Sequence, residues 1–289
     1  MQRSCVTTTK EPNWPLDLSE PSARVPGPAT LGKAILAGAP CAVQIRRLAD
    51  AEAVGEQVAH WLLASRLADP SRPVGLATGR TMEPVYGALA RQFAQRSAAE
   101  RQRVRRQWCS FNLDEYVGLS PKDPRSFAAT MAAQLVTPLQ LDAESVLLPR
   151  GDGADPAAEA LRYASLLASK GGLGLQILGI GTNGHVGFNE PPCAADTRCR
   201  AVTLSACTRS QNAGDFGGNP QAVPEQAITL GLAEILAARQ ILLVVTGAAK
   251  APVLQRLLQD PPGPQLPASW LQLHPAVTLI VDRAAWGGG

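Results

Sequence analysis

A histidine on a glycine-rich loop with a carboxylate five residues on can move protons. In residues 179–191, GIGTNGHVGFNEP, His185 follows Asn183 and Gly184 and precedes Asn189 and Glu190. The glycines let backbone approach a ligand closely. A carboxylate accepting from an imidazole N–H fixes its tautomer and raises its proton affinity. The segment 111–116, FNLDEY, adds an acid pair, Asp114 and Glu115, at the end of an apolar run. A carboxylate at the buried end of a strand is partly desolvated and more basic, which suits a base acting beside a carbonyl. The alternative task for either acid is to cap a turn or helix. Two more segments suit an anion. In 74–81, VGLATGRT, a strand ends and a helix opens near Pro84; N–H groups there bind phosphate, and the Thr78 and Thr81 hydroxyls add donors. In 246–250, TGAAK, the same strand–glycine–helix order sends Lys250 from the first helical turn toward an anion, or into solvent. His60 and His274 read as structural, and nothing local singles out Arg209 or Arg256.

These residues need a frame that brings four loops together. Strand-like apolar runs fall at 42–45, 73–77, 108–113, 173–180, 241–246 and 277–282. Helical patterns separate them at 51–67, 84–92, 156–169 and 251–258. Alternation of this kind predicts an α/β fold with a mostly parallel sheet covered on both faces. Ligands collect at the strand ends of such sheets. Residues 190–226, with Gly214, Gly217, Gly218, Asn219 and Pro220, read as one long irregular loop, a functional lid. The prolines at 12, 15, 21, 26 and 28, with few large apolar residues, mark residues 1–40 as a disordered extension. A single domain is expected over 41–286.

At 289 residues and 45% hydrophobic, the chain can bury one large α/β core. A net charge of +3 is too small to argue for nucleic acid, and Arg101, Arg103, Arg105 and Arg106 read as a solvated face. The six cysteines include no CxxC pair, and no histidine accompanies Cys193, Cys199 and Cys207 at metal-ligand spacing, which argues against zinc. Reduced thiols, no secretory signal and no apolar stretch long enough for a bilayer suggest a cytoplasmic protein with no membrane partner.

GLATGRT, FNLDEYVGL, GIGTNGHVGFNEP, AITLG at 227–231 and PASWLQLHP at 267–275 occur in one order over about residue 42 to Ala285. In this the chain resembles the glucosamine-6-phosphate deaminase (isomerase) family; GFNEP together with NLDEYVGL is the specific part. The sister 6-phosphogluconolactonases share the fold, but their acid pair is followed by arginine, and here Tyr116 follows it. The resemblance implies a three-layer α/β/α domain with a Rossmann-like sheet. It implies conversion of glucosamine 6-phosphate and water to fructose 6-phosphate and ammonia, with no metal or organic cofactor. His185 would open the sugar ring, Glu190 would orient and charge-balance it, and Asp114 would carry a proton between C2 and C1. Asn183 would stand beside the imidazole where many members have aspartate, leaving His185 less basic. Thr78, Gly79, Arg80, Thr81, Gly184 and Lys250 would hold the substrate, with its phosphate on Thr78–Thr81 and Lys250. Two departures bear on that phosphate: Arg80 replaces the second glycine of the usual Gly-Gly-Thr turn, and Gly214 replaces the usual arginine. Either Arg80 or Arg209 would then supply the missing charge. Arg200 matches one residue of a second, activating phosphate site found in some members, but Val202 does not match its neighbour, so no such regulation is expected. Alternatives are a deaminase for galactosamine 6-phosphate, a lactonase, or a non-catalytic sugar-phosphate sensor. The sequence leaves monomer or homo-oligomer open.

Overall fold

In a computed structural model of the chain, the structure describes residues 43–287, and the 1–40 extension, with Cys5 and Cys41, lies outside the described residues. Runs of apolar residues buried on both faces become strands of one sheet. Its strands are β1 (Gln44–Leu48), β2 (Val74–Leu76), β3 (Ser110–Asn112), β5 (Val146–Leu147), β6 (Leu175–Leu178), β9 (Gln240–Val245) and β10 (Val277–Asp282). They lie in the order β1-β10-β9-β6-β2-β3-β5, and every pairing is parallel. From β2 the chain moves outward to β3 and β5, then returns to β6 on the other side of β2 and continues to β9 and β10. The crevice at the β2–β6 boundary is therefore the reversal point where such sheets bind ligands.

Helices α1 (Ala51–Ala68), α2 (Glu83–Ala94), α3 (Ala98–Gln107), α4 (Phe127–Met131) and α5 (Pro156–Ser169) precede β6. After β6 come α6 (Ala206–Asn212), α7 (Leu232–Leu236), α8 (Ala251–Gln259) and α9 (Arg283–Trp286). Their starts follow the sequence. Asp50 accepts from the Ala53 N–H at 2.9 Å to cap α1, and Asp155 accepts from Ala157 and Ala158 to cap α5 just before Pro156. Helix α3 was not among the expected helices. Only Val104 of it is buried, so it carries no apolar stripe, but Ser97 and Glu100 form a reciprocal capping box at its start. Its arginines do lie on a helix surface, Arg105 reaching the Leu139 carbonyl and Gln140.

The expected strand 108–113 stops one residue early, and this matters for the site. Leu113 is a pivot: its N–H donates to the Leu76 carbonyl in the large sheet, and its carbonyl accepts from Leu230. The chain then enters a second sheet of β4 (Asp114–Tyr116), β8 (Gln226–Thr229) and β7 (Arg200–Thr203), paired antiparallel in the order β4-β8-β7. Residues 190–226 are accordingly not one irregular loop. They contain β7, α6 and short 3-10 turns at Ala213–Phe216 and Pro220–Ala222. A small aromatic core of Tyr116, Phe127, Phe188 and Phe216 binds this segment to β4. No helix of the described residues is long and apolar enough to cross a membrane. Cys109, Cys193, Cys199 and Cys207 are free thiols.

Candidate active site

A cleft of about 780 Å³ opens at the carboxyl ends of β2, β3, β6 and β9. These strands are neighbours in the sheet, so four loops far apart in sequence are placed side by side. The cleft is lined by Thr78, Gly79, Arg80 and Thr81 after β2, Asp114 after β3, His185 after β6 and Lys250 after β9.

Strand alternation separates the acid pair. Glu115 faces away from the cleft and accepts backbone N–H groups of Tyr116, Phe127 and Ala128 at 2.8–3.0 Å, which caps the start of α4. Asp114 opens onto the cleft, is 6% exposed, and has no hydrogen-bond or ion-pair partner among the described residues. Burial, with the Glu115 charge adjacent, pushes its carboxyl up to about 8. The cap is thus Glu115, and Asp114 is the acid left facing the cleft.

His185 lies flat against Gly181, where an added Cβ would stand 2.2–2.5 Å from three imidazole atoms. The Gly181 N–H also donates to the His185 carbonyl at 2.9 Å, closing the loop. Protein surrounds the ring closely enough that burial pulls its pKa down to about 4, against the opposing pull of Glu190. Its Nδ1 is buried with no hydrogen-bond partner among the described residues. Gly187, at φ +57°, carries the loop onward past Asp114; a Cβ there would stand 3.4 Å from Oδ2.

Three expected site residues take other positions. Asn183 does not touch the imidazole; its Oδ1 accepts the His185 backbone N–H at 3.2 Å, a loop cap. His185 is less basic than usual, but burial and not the missing charge at residue 183 is the cause. Glu190 acts on His185 only through space, and its carboxylate accepts the Ser205 N–H at 3.4 Å. Gly184, at φ +88°, packs where a Cβ would stand 2.2 Å from Leu266, and its carbonyl accepts from Ala268; it does not line the cleft.

The anion side is built from turns. Gly79 at φ +101° closes the Thr78–Thr81 turn through a bond from the Met82 N–H. No described residue accepts from the N–H groups of Gly79, Arg80 or Thr81, which lie just before α2. That is the donor set of an anion site at a helix start. Lys250 is set by Gly247, whose N–H donates to both Asp282 carboxylate oxygens. Desolvation, with Arg80 nearby, holds Lys250 below its ordinary pKa. Arg209 is not in the cleft. It donates to the Gln221 carbonyl at 3.2 Å and sits 4.0 Å from Glu225. Arg200 likewise turns to Asn189 and the Arg198 carbonyl.

The sequence reading missed Gln211, Asn212, Thr182 and Met82 as lining residues. Gln211 donates to the Thr182 hydroxyl at 2.6 Å and Asn212 to the Tyr116 hydroxyl at 2.9 Å, fastening α6 over the cleft. The signal for Gln211 and Asn212 was only their place in the segment 190–226 expected to cover a site, and Thr182 and Met82 adjoin residues already singled out. Among the described residues no group of three or more histidines, cysteines or acids is placed to hold a metal ion.

A parallel sheet whose reversal point gathers an unpaired acid, an imidazole and the Thr78–Thr81 turn defines an α/β protein with a polar cleft at its strand ends. Comparison with known proteins agrees. The model of the glucosamine-6-phosphate isomerases/6-phosphogluconolactonase family matches residues 48–280. The glucosamine-6-phosphate deaminase of Rhodopirellula baltica is 40% identical over 243 residues, covering 84% of this chain and 94% of that protein. That of Streptomyces coelicolor is 39% identical over 236 residues, 82% of this chain and 88% of that protein. A solved monomeric glucosamine-6-phosphate deaminase superposes with a TM-score of 0.79 at 33% identity, covering 84% of this chain and 99% of that one. The 6-phosphogluconolactonase of Trypanosoma cruzi, at 18% identity and a TM-score of 0.66, shares the fold alone. The chain belongs to the glucosamine-6-phosphate isomerase/6-phosphogluconolactonase family.

Proposed function

We propose that this protein is an aminosugar-phosphate deaminase that converts glucosamine 6-phosphate and water to fructose 6-phosphate and ammonia. The observation that carries the reading is Asp114: a buried carboxyl, free of partners, opening onto the same cleft as His185 and the Thr78–Thr81 turn. A sensor needs no such group. The curated relatives at about 40% identity are deaminases, and the likeness to lactonases is one of fold.

In this reading residues 41–286 form the catalytic domain. The phosphate rests on the N–H groups and hydroxyls of Thr78–Thr81 and on Lys250. His185, neutral at pH 7, carries one N–H and one free nitrogen. It takes the proton of the anomeric hydroxyl and delivers one to the ring oxygen, and the ring opens. Glu190 steadies the charge that passes through the imidazole. Asp114 takes the proton from C2 of the open aldose and returns it to C1, while one proton of the substrate's ammonium passes to the C1 oxygen. A pKa near the working pH suits a group that must both accept and give. The C2 iminium that results adds water and expels ammonia. The substrate is bound in the cell interior, where free thiols persist.

The test is to incubate purified protein with glucosamine 6-phosphate and measure ammonia and fructose 6-phosphate together. Equal amounts of both support the reading; neither product, or fructose 6-phosphate without ammonia, overturns it. Galactosamine 6-phosphate run in parallel fixes the epimer.

A further inference from the structure

Two cationic side chains open onto the cleft, Lys250 and Arg80, and neither has an ion-pair partner among the described residues. They are close enough to act on one another, since Arg80 opposes the charge on Lys250. Like charges converging on a cleft without a counter-charge form a field for an anion. Among the described residues no other lysine or arginine lines the cleft. Arg209 is engaged with Gln221 and Glu225, Gly214 faces the cleft with no side chain, and Asp215 adds a carboxylate that has no ion-pair partner among the described residues. Any anion is therefore driven toward Arg80 and Lys250. Arg80 leaves from the same turn whose free N–H groups open there.

We propose that Arg80 is a specificity-determining residue: its guanidinium, with Lys250, provides two positive charges that select a phosphate dianion over a singly charged ester. This rests on the reading of the cleft as a sugar-phosphate site and goes beyond it by naming what sets the charge of the ligand. A guanidinium offers several donors in a fixed fork, which suits a phosphate better than an ammonium does. The wall position at Gly214 is a second mount for the same charge. A Cβ there meets nothing within 4 Å and needs no left-handed backbone, so an arginine can be introduced without strain.

The experiment is calorimetric titration at pH 8 with glucose 6-phosphate and glucose 6-sulfate, which differ by one charge and lack the amino group that reacts. Wild type is expected to bind the phosphate ester more tightly. Arg80→Gly should weaken phosphate-ester binding about ten- to a hundredfold, the effect of losing one hydrogen bond to a charged group. The sulfate ester should lose far less. The double variant Arg80→Gly with Gly214→Arg should recover most of the preference. Circular dichroism of each variant reports whether it is folded. Unchanged phosphate affinity in Arg80→Gly overturns the proposal, as does an equal loss for both esters. Ammonia release by wild type is measured separately. If it is absent, the deaminase reading falls while the two-ester comparison still decides the role of Arg80.

Discussion

Replacing Asp114 by asparagine should make the protein far less active and more stable, and the gain should depend on pH. Asp114 has a pKa of about 8 in the folded chain against 3.8 ordinarily, through burial and then the Glu115 charge. Between pH 4 and 8 the native state therefore keeps a proton that the unfolded chain releases. The native state binds more protons in that window, so stability falls as pH rises through it and levels off above 8. A pKa difference of that size has a ceiling of ~6 kcal/mol. Relaxation and water entry around a buried charge leave roughly a third of it. The asparagine side chain carries no charge, so the variant lacks this slope. The two proteins should be similar near pH 4 and differ by ~2 kcal/mol at pH 8, a melting shift of ~4–8 °C for a domain of this size. Thermal melts from pH 4 to 9, beside ammonia assays, make the measurement. Turnover should drop ~10²–10⁴-fold, the usual contribution of a general base. A pH-independent stability difference, or a variant no more stable than wild type at pH 8, would show that Asp114 is not a desolvated carboxyl and would remove the basis for its role.

Gly181→Ala should push a Cβ into the His185 ring and cut turnover of the cyclic substrate ~10²-fold or more while leaving glucose 6-phosphate affinity, read by calorimetry, near wild type. His185→Gln should harm the cyclic substrate more than an open-chain analogue, and equal losses in steady-state assays of both would mean that the imidazole does not open the ring. Glu115→Gln should lower the Asp114 pKa, because the Glu115 charge raises it; the acidic limb of kcat/KM should then move to lower pH, and an unmoved limb would assign the Asp114 shift to burial alone. Asn183→Asp should leave the pH–rate profile nearly unchanged, since Asn183 caps the His185 backbone N–H and does not reach the ring.

Legibility in the sequence followed burial. Strands β2, β6, β9 and β10 are covered on both faces, so they stand out as continuous apolar runs. Strand β7 is partly exposed along its length and β5 has two residues, so neither leaves such a run. Both pair with neighbours brought from elsewhere in the chain, and pairing is not written in a local pattern. Helix α3, with one buried residue, is announced only by its capping box. The pivot at Leu113 had no local signal at all, because the run 108–113 reads as one strand through Leu113 until Leu230 and Leu76 are seen to claim that residue from two sheets.

The site was legible to the degree that its chemistry is local. Asp114, His185, Lys250 and the Thr78–Thr81 turn each follow a strand, and strand ends meet wherever the sheet puts neighbours together. What sequence could not divide was labour within a motif. Asp114 and Glu115 are adjacent carboxyls, yet one opens onto a cleft and the other is spent on three backbone N–H groups. Asn183 and Glu190 flank the histidine in sequence, but a tight loop turns one to the backbone and leaves the other acting through space. The same folding that buries His185 against Gly181 lowers its proton affinity, and the same folding that buries Asp114 raises its own. One desolvated pocket thus moves an acid and a base in opposite directions, to a neutral imidazole and a carboxyl that exchanges its proton near neutrality, without a charged partner hydrogen-bonded to either. The pH dependence of such a site is set by packing, so mutations that admit water should alter it as strongly as mutations that remove a charge.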